Sequence, residues 1–171
     1  MLLSSSAFAA TSDYNWNLRT SPIAWVVGPN LRLDVRAGEQ WTLGVTGVSI
    51  DNKIKAVDLS GTTGGVILSF NLEGALTDSW FVDAGMAYGD IRAQGTATNG
   101  QVYIAHLYNI SEHFVGGYHW FWEHFNLAVG AGVDFNSAGG RNIVDGNGSK
   151  VVEIPVRGAM FASEASIGMA F

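Results

Sequence analysis

The feature of this sequence that most constrains its fold is an alternation of side-chain character with a period of two. It is clearest over residues 158–171, which read GAMFASEASIGMAF. The set of alternate positions from Ala159 to Phe171 carries no charge, whereas the opposite set contains Glu164. Successive side chains of a β-strand point to opposite faces, so this period predicts a strand rather than a helix.

The same period recurs along the chain and predicts eight strands. Short turns are expected at 36–40, 73–79 and 122–124, and longer polar loops at 51–62, 92–100 and 136–150. The predicted strands cover about 14–20, 23–35, 41–48, 64–72, 80–88, 110–120, 125–135 and 158–171. Residues 102–109 are interpreted as an extension of the sixth strand, because Glu112, His113 and His119 do not share one parity.

The two faces of these strands differ in the size of their side chains. One face carries large apolar residues, and the other carries Gly, Ala, Ser, Thr and Asn with a few charges. The interior of an eight-stranded barrel is only wide enough for side chains to fill, so the small and polar face belongs inside. Charged residues make up 14 % of the chain, against roughly 25 % in an ordinary soluble domain. The sequence therefore predicts an all-β, eight-stranded antiparallel up-and-down transmembrane β-barrel, with a soluble barrel that carries small ligands as a minor alternative.

A few charged residues fall on the small-residue face and would meet in the lumen. Arg32 is expected to pair with Glu164 or Asp83, since an unpaired charge in a poorly hydrated interior is costly. The predicted lumen polar network consists of Arg32, Asp34, Asp83, Asp134 and Glu164. If the lumen conducts, its excess of carboxylates favours cations.

Aromatic residues stand near the ends of the predicted strands, as they do at the two interfaces of a membrane protein. The predicted aromatic girdle consists of Trp41, Phe70, Trp80, Trp120, Phe125 and Phe171 at the end with short turns, and of Trp25, Tyr88 and Phe135 toward the other end.

From residue 13 onward the chain resembles the small eight-stranded outer-membrane β-barrel proteins of the OmpA and OmpX type. The resemblance rests on the strand count, the alternating loop lengths and the final strand with its terminal aromatic residue, Phe171. It implies location in the outer membrane of a Gram-negative bacterium, with membrane lipid and lipopolysaccharide as surroundings. It also implies that the barrel-assembly machinery reads the C-terminal strand. Members of this class include structural barrels, adhesins, small channels and a few lipid-A-modifying enzymes.

We expect a structural or surface-interaction role without enzymatic activity, in which the longer loops meet an extracellular ligand. A narrow channel for ions or small solutes is the first alternative, and a lipid-A-modifying enzyme is the second. No nucleophile next to a base is evident, and no catalytic residue, cofactor or metal site is predicted. The chain contains no Cys, and its net charge of −6 gives no basic footprint for nucleic acid. His106, His113, His119 and His124 are interpreted as interfacial or loop residues.

The chain is expected to form one domain, residues 13–171. Residues 1–12 are interpreted as a signal-peptide remnant or a disordered N-terminus, because Ala7-Phe8-Ala9 has the form that signal peptidase accepts. No run of about 18 apolar residues is present to form a transmembrane helix.

Overall fold

A computed structural model of the chain describes residues 14–26, 28–54, 57–96, 100–145, 149–155 and 157–171. These residues form nine antiparallel strands and one three-residue 3-10 turn, Ala24–Val26. The strands are β1 (Trp16–Thr20), β2 (Asn30–Arg36), β3 (Trp41–Ile54), β4 (Val57–Asn71), β5 (Ser79–Thr96), β6 (Val102–Trp122), β7 (Phe125–Asp145), β8 (Lys150–Pro155) and β9 (Gly158–Ala170).

The strands close into a barrel in chain order. Each of β1 to β7 pairs with its successor, and β9 returns to pair with both β7 and β1. The first and last strands meet where Leu18 stands opposite Met169. Because β8 and β9 pair with successive parts of β7, they act as one wall strand. The predicted closed, eight-stranded, antiparallel up-and-down barrel is therefore confirmed.

Strand β5 shows which face is inside. Trp80 and Val82 are each 57 % exposed, whereas the alternate residues Phe81 and Asp83 are 2 % and 0 % exposed. Most large apolar side chains thus lie on the outer surface, and the lumen holds the small and polar ones together with a few apolar ones such as Phe81. This is the arrangement expected of the transmembrane type of barrel.

The predicted polar loops are wrong in extent, because the strands continue through most of them. β3 reaches Ile54 and β4 begins at Val57, β5 reaches Thr96, and β7 reaches Asp145. In β4 and β5 the polar residues of these stretches, such as Asp58, Ser60 and Arg92, alternate with apolar ones, so these parts are strands that carry polar side chains on one face. Residues 55, 56, 97–99 and 146–148 lie outside the described part of the chain.

The predicted second strand, 23–35, is also wrong at its start, because β2 begins only at Asn30. The described residues of 21–29, here called the β1–β2 loop, contain the 3-10 turn. Asn30 closes this loop: its Oδ1 accepts from Ser21 N (2.7 Å) and its Nδ2 donates to Ser21 O (2.9 Å). Pro22 and Pro29 lack the N–H that a ladder needs, so the apparent alternation of 23–29 does not indicate a strand.

Strand β6 runs without interruption from Val102 to Trp122, and its conflicting polar residues have a simple explanation. Glu112 pairs with Met86 and Phe135, which are 53 % and 41 % exposed, so it belongs to the outer face. His113 and His119 belong to the inner face. A register shift against β7 between Ile110 and Ser111 changes the parity of β7 but not that of β6.

No helix among the described residues is long and apolar enough to cross a membrane. The predicted N-terminal segment, residues 1–12, lies outside the described residues.

Candidate functional site

The lumen contains a connected network of charged side chains, and Arg32 on β2 lies at its centre. Arg32 Nε donates to Asp34 Oδ1 at 2.7 Å, and Arg32 Nη1 donates to Asp83 Oδ2. Arg32 Nη2 donates to Ser69 Oγ at 2.8 Å, and Glu164 Oε2 lies 3.8 Å from Arg32 Nη1. One guanidinium group therefore connects β2 with β4, β5 and β9.

Arg19 on β1 forms the second half of this network. Its Nε donates to Asp34 Oδ2 at 2.8 Å, and its Nη1 donates to Glu164 Oε1 at 2.7 Å. The same Nη1 lies 2.6 Å from His119 Nε2, to which it donates. Asp34 thus bridges the two arginines with its two oxygens, and the network reaches β6 as well.

The network is almost completely withdrawn from solvent. The side chains of Arg19, Asp34 and Asp83 are 1 %, 2 % and 0 % exposed, and that of Glu164 is 12 % exposed. Three carboxylates face two guanidinium groups, which leaves an excess of acceptors when all are ionised. Asp83 Oδ1 is buried and has no hydrogen-bond partner among the described residues. Since buried charges persist only when paired, these contacts hold the side chains across the lumen.

Glycines in the wall make room for the network. A Cβ on Gly44 would lie 2.5 Å from Asp34 Oδ1, and a Cβ on Gly168 would lie 2.6 Å from Arg19 Cγ. The sequence therefore places its smallest residue where the arginine and aspartate side chains approach the strand backbone.

Toward the end with short turns, the lumen is filled by a layer of aromatic and small residues. The Phe81 ring stacks on the His119 ring with centroids 4.4 Å apart. A Cβ on Gly117 would lie 2.7 Å from Phe81 Cζ, so this glycine gives the ring its space. Phe81 clusters with Val115, Ala128 and Ala162, all of them buried.

Toward the end of the barrel opposite the short turns, a cavity of about 280 Å3 lies directly against the network. Arg19, Arg32 and Glu164 face it, together with His113 on β6. The β1–β2 loop contributes Ser21 and Ala24 to its lining. The cavity therefore has charged side chains at its floor and apolar ones, among them Val48 and Ile67, in the rest of its lining.

Of the five predicted network residues, the structure brings Arg32, Asp34, Asp83 and Glu164 together and leaves Asp134 apart. Asp134 Oδ1 instead accepts from His113 Nδ1 at 2.6 Å, with the two side chains 30 % and 25 % exposed. A carboxylate that bonds Nδ1 of a histidine resembles the orienting half of a catalytic triad. Among the described residues, no serine hydroxyl bonds to His113.

Sequence reasoning missed Arg19 and His119. Both lie on the small-residue face by parity, which is the signal that identifies them. The interpretation of the histidines as interfacial or loop residues is wrong for His113 and His119, which face the lumen. His124 lies in the turn after β6, where its Nδ1 is 2.9 Å from Ala170 O.

The predicted girdle residues lie on the outer surface, in two groups. Trp80 packs against Tyr118 and Trp41 against Phe70, with centroids 5.2 Å and 4.9 Å apart. Among the predicted girdle residues Phe70 is half-buried, and the exposed ones are Trp25 60 %, Trp41 43 %, Trp80 57 %, Tyr88 54 %, Trp120 37 %, Phe125 63 %, Phe135 41 % and Phe171 59 %. Trp25 differs from the rest because it belongs to the β1–β2 loop, where its Nε1 donates to Thr20 Oγ1 at 2.8 Å.

Beyond Tyr88 the outer surface changes character. Asp90 and Arg92 are exposed on the outer face of β5, whereas Ile91 and Ala93 lie on its inner face and are half-buried. Strand β4 shows the same inversion, with exposed Asp58 and Ser60 outside and half-buried Leu59 inside, and Leu107 on the inner face of β6 is half-buried as well. We call the parts of β3–β8 beyond this inversion the outer extension.

These features define a closed β-barrel of the transmembrane type, with an apolar exterior band and a charged, filled lumen. Comparison of the chain with protein-family models, with curated proteins and with solved structures finds no match. Within the described ranges, no group of three or more His, Cys, Asp or Glu side chains is placed to hold a metal ion.

Proposed function

We propose that this protein is an outer-membrane β-barrel of a Gram-negative bacterium with a structural or surface-interaction role and no enzymatic activity. In this proposal the short turns face the periplasm, the outer extension faces the exterior, and the lumen does not conduct. The observation that carries the proposal is the network of Arg19, Arg32 and their carboxylates, which links opposite walls of a barrel with an apolar exterior.

The dimensions of the exterior band support membrane insertion. On β5 the outward apolar residues run from Trp80 to Tyr88 and end at Asp90. Eight steps of about 3.3 Å, tilted by about 40°, span roughly 20 Å along the barrel axis. That height, together with the reach of the side chains, approaches the apolar band of about 25 Å in outer-membrane barrels.

The lumen supports the absence of conduction. Ions need a continuous hydrated path, but the side chains of the network and of the Phe81 layer are buried against one another. Opening a path would separate charges that now pair at 2.7–2.8 Å, which is costly in a poorly hydrated interior.

The outer extension supports a role at the surface. Within the described residues, 49–54 of β3 pair as a strand only with β4, and β8 pairs only with β7. The extension is thus a sheet with two edge strands, and an edge strand is where a segment of another chain can add to a sheet. An extracellular protein or peptide that adds a strand is the kind of ligand such edges accept.

Two measurements test the proposal together. Closed membrane barrels resist SDS until heated, so the protein from the membrane fraction is expected to change gel mobility on boiling. In planar lipid bilayers the same preparation is expected to show no discrete conductance steps.

A soluble protein without a mobility shift would contradict membrane insertion. Conductance steps that an Arg32→Ala substitution enlarges would instead favour the narrow channel. A change in the mass of lipid A upon expression would favour the lipid-modifying enzyme.

A further inference from the structure

The barrel wall is incomplete on one side at mid-height. β1 pairs with β9 from Asn17↔Ala170 to Thr20↔Ile167 and then ends. Residues 158–166 of β9, which lie toward the end opposite the short turns, pair with β7 on one side. No strand among the described residues pairs with their other edge. The gap between β9 and β2 is occupied by the β1–β2 loop instead of a strand.

Irregular backbone facing lipid is unfavourable unless its polar groups are satisfied within the protein. The β1–β2 loop meets this condition through Ala24 N, which donates to Ser21 O at 3.1 Å, and Gly28 N, which donates to Ala24 O at 3.1 Å. Ser49 N of β3 donates to Pro29 O at 3.0 Å. The loop exposes the apolar side chains of Ile23 (67 %) and Trp25 (60 %). A loop of this kind is compatible with the lipid side of the wall.

The cavity beside the network reaches this gap. Its lining contains both Glu164, which faces the lumen, and Ser163, which is the next residue on β9 and belongs to the outer face. The same cavity is lined by Ser21 and Ala24 of the β1–β2 loop, so it lies between β9 and this loop, at the gap.

The charges around the cavity decide what it can hold. Nε and Nη1 of both Arg19 and Arg32 are engaged by Asp34, Asp83 and Glu164, whereas Glu164 Oε2 has only the 3.8 Å contact with Arg32 Nη1. With three carboxylates against two guanidinium groups, an added anion would increase the excess of negative charge. A cation would reduce it.

The outer side of the gap is apolar. Phe161 on β9 is 77 % exposed, and Ile23 and Trp25 of the β1–β2 loop are 67 % and 60 % exposed. An alkyl chain that lies along Phe161 would remain in the apolar surroundings of the barrel, while a head group attached to it would reach Glu164. At about 280 Å3 the cavity suits a small head group rather than a whole lipid.

From this geometry we infer that the cavity is a binding site for an amphiphile with an ammonium head group, which enters sideways through the gap between β9 and the β1–β2 loop. The ammonium group lies against Glu164, and the alkyl chain leaves past Ser163 along Phe161. The inference rests on the proposed insertion of the barrel in a membrane. It adds a ligand to that proposal without requiring conduction or catalysis.

The test titrates dodecylammonium into the barrel held in neutral dodecyl maltoside micelles. The indole N–H resonance of Trp25 reports on the gap, because Trp25 Nε1 bonds Thr20 Oγ1 and Thr20 lines the cavity. It is assigned by its disappearance in Trp25→Phe. We expect this resonance to shift and to saturate, whereas methylammonium and dodecyl sulfate at the same concentrations leave it in place.

Two variants test the Glu164 carboxylate and the lateral entry through the gap separately. Glu164→Gln is expected to weaken dodecylammonium binding by about tenfold or more, which corresponds to about 1.4 kcal/mol per factor of ten. Ser163→Trp narrows the gap from outside without touching the network, and is expected to abolish the saturable shift. Glu112→Gln removes an outward carboxylate that does not line the cavity, so it serves as the matched control and should bind as the wild type does.

Three outcomes overturn the inference. Equal saturation by dodecyl sulfate excludes selection of the ammonium charge. Equal saturation by methylammonium shows that the alkyl chain and the lateral route are not needed. Binding that Ser163→Trp leaves unchanged shows that the ligand arrives from the aqueous end. A heat-dependent mobility shift measured on each variant confirms folding, so that failure of the ligand site is distinct from failure of the barrel proposal.

Discussion

The two halves of strand β5 place opposite kinds of residue inside and outside. From Trp80 to Tyr88 the apolar side chains face outward and the lumen holds Asp83, whereas beyond Asp90 the polar side chains face outward and Ile91 faces inward. One unbroken strand can do this because the medium around it, and not its backbone, selects which face is apolar. The inversion marks the height at which lipid gives way to water in our proposal.

The largest expected effect comes from removing a charge in the lumen. Arg32→Met leaves Asp83 and one oxygen of Asp34 buried without their partner, so we expect the free energy of unfolding to fall by about 3–5 kcal/mol. Urea unfolding of the barrel in phosphatidylcholine vesicles, followed by tryptophan fluorescence, measures this change.

The matched control for this loss lies in the outer extension. Arg92 is exposed and donates to Gln94 Oε1 at 3.2 Å. Arg92→Met should change the free energy of unfolding by no more than about 0.5 kcal/mol. A loss below about 1 kcal/mol in Arg32→Met would show that the lumen network does not hold the barrel together.

The next effect concerns the outer face of the band. Ala84 lies midway between Trp80 and Tyr88 on the outward side of β5, so Ala84→Arg places a charge near the proposed bilayer midplane. We expect a loss of about 2–4 kcal/mol in vesicles. The same urea titration of Gln94→Arg, on the outer face of the extension, should show a change near zero, and equal losses at both positions would remove the distinction between the two regions.

A smaller effect is expected on the inner face of the extension. Leu107 is half-buried there, and Leu107→Ala removes apolar area worth about 0.8 kcal/mol for each fully buried methylene. We therefore expect destabilisation of about 1 kcal/mol, seen as faster amide hydrogen exchange in the extension. Ser60→Ala, on the exposed outer face of β4, is the comparison variant and should leave the exchange rates unchanged.

The smallest effect is expected from the ion pair at the tip of the extension. Lys53 Nζ lies 3.2 Å from Asp58 Oδ1, with side chains 67 % and 61 % exposed. A double-mutant cycle of Lys53→Met and Asp58→Asn should give a coupling energy below about 0.5 kcal/mol that decreases with added salt. A coupling energy as large as that of the buried arginine–carboxylate pairs would mean that exposure to solvent does not weaken ion pairs in the extension.

The alternation of residues such as Trp80, Phe81, Val82 and Asp83 was sufficient to predict the barrel, because a period of two identifies both the strand and its inner face. The alternation was not sufficient to predict the strands of the outer extension, where the outer face becomes polar. Residues 51–62 look like a loop when apolar content is the criterion, although Leu59 between Asp58 and Ser60 keeps the period.

The β1–β2 loop shows the opposite error. Residues 23–29 alternate by composition, but Pro22, Pro29 and the hydrogen bonds of Asn30 form a compact loop there. Parity alone indicated that Arg32, Asp34, Asp83 and Glu164 share the lumen. It carries no information on height along the barrel, which is why Asp134, although it shares the inner face, proved to lie apart from the network.

The most direct test of the account uses the absence of cysteine from the chain. Single cysteines introduced at the outward positions of β5 from 82 to 96 and spin-labelled report whether each position meets lipid or water. The account predicts that labels at 82, 84 and 86 are accessible to oxygen and shielded from a water-soluble nickel complex. From position 90 onward, it predicts that the labels are more accessible to the nickel complex than to oxygen. Labels at 82–86 that the nickel complex reaches as readily as those at 90–96 would contradict the claim that the apolar band meets lipid.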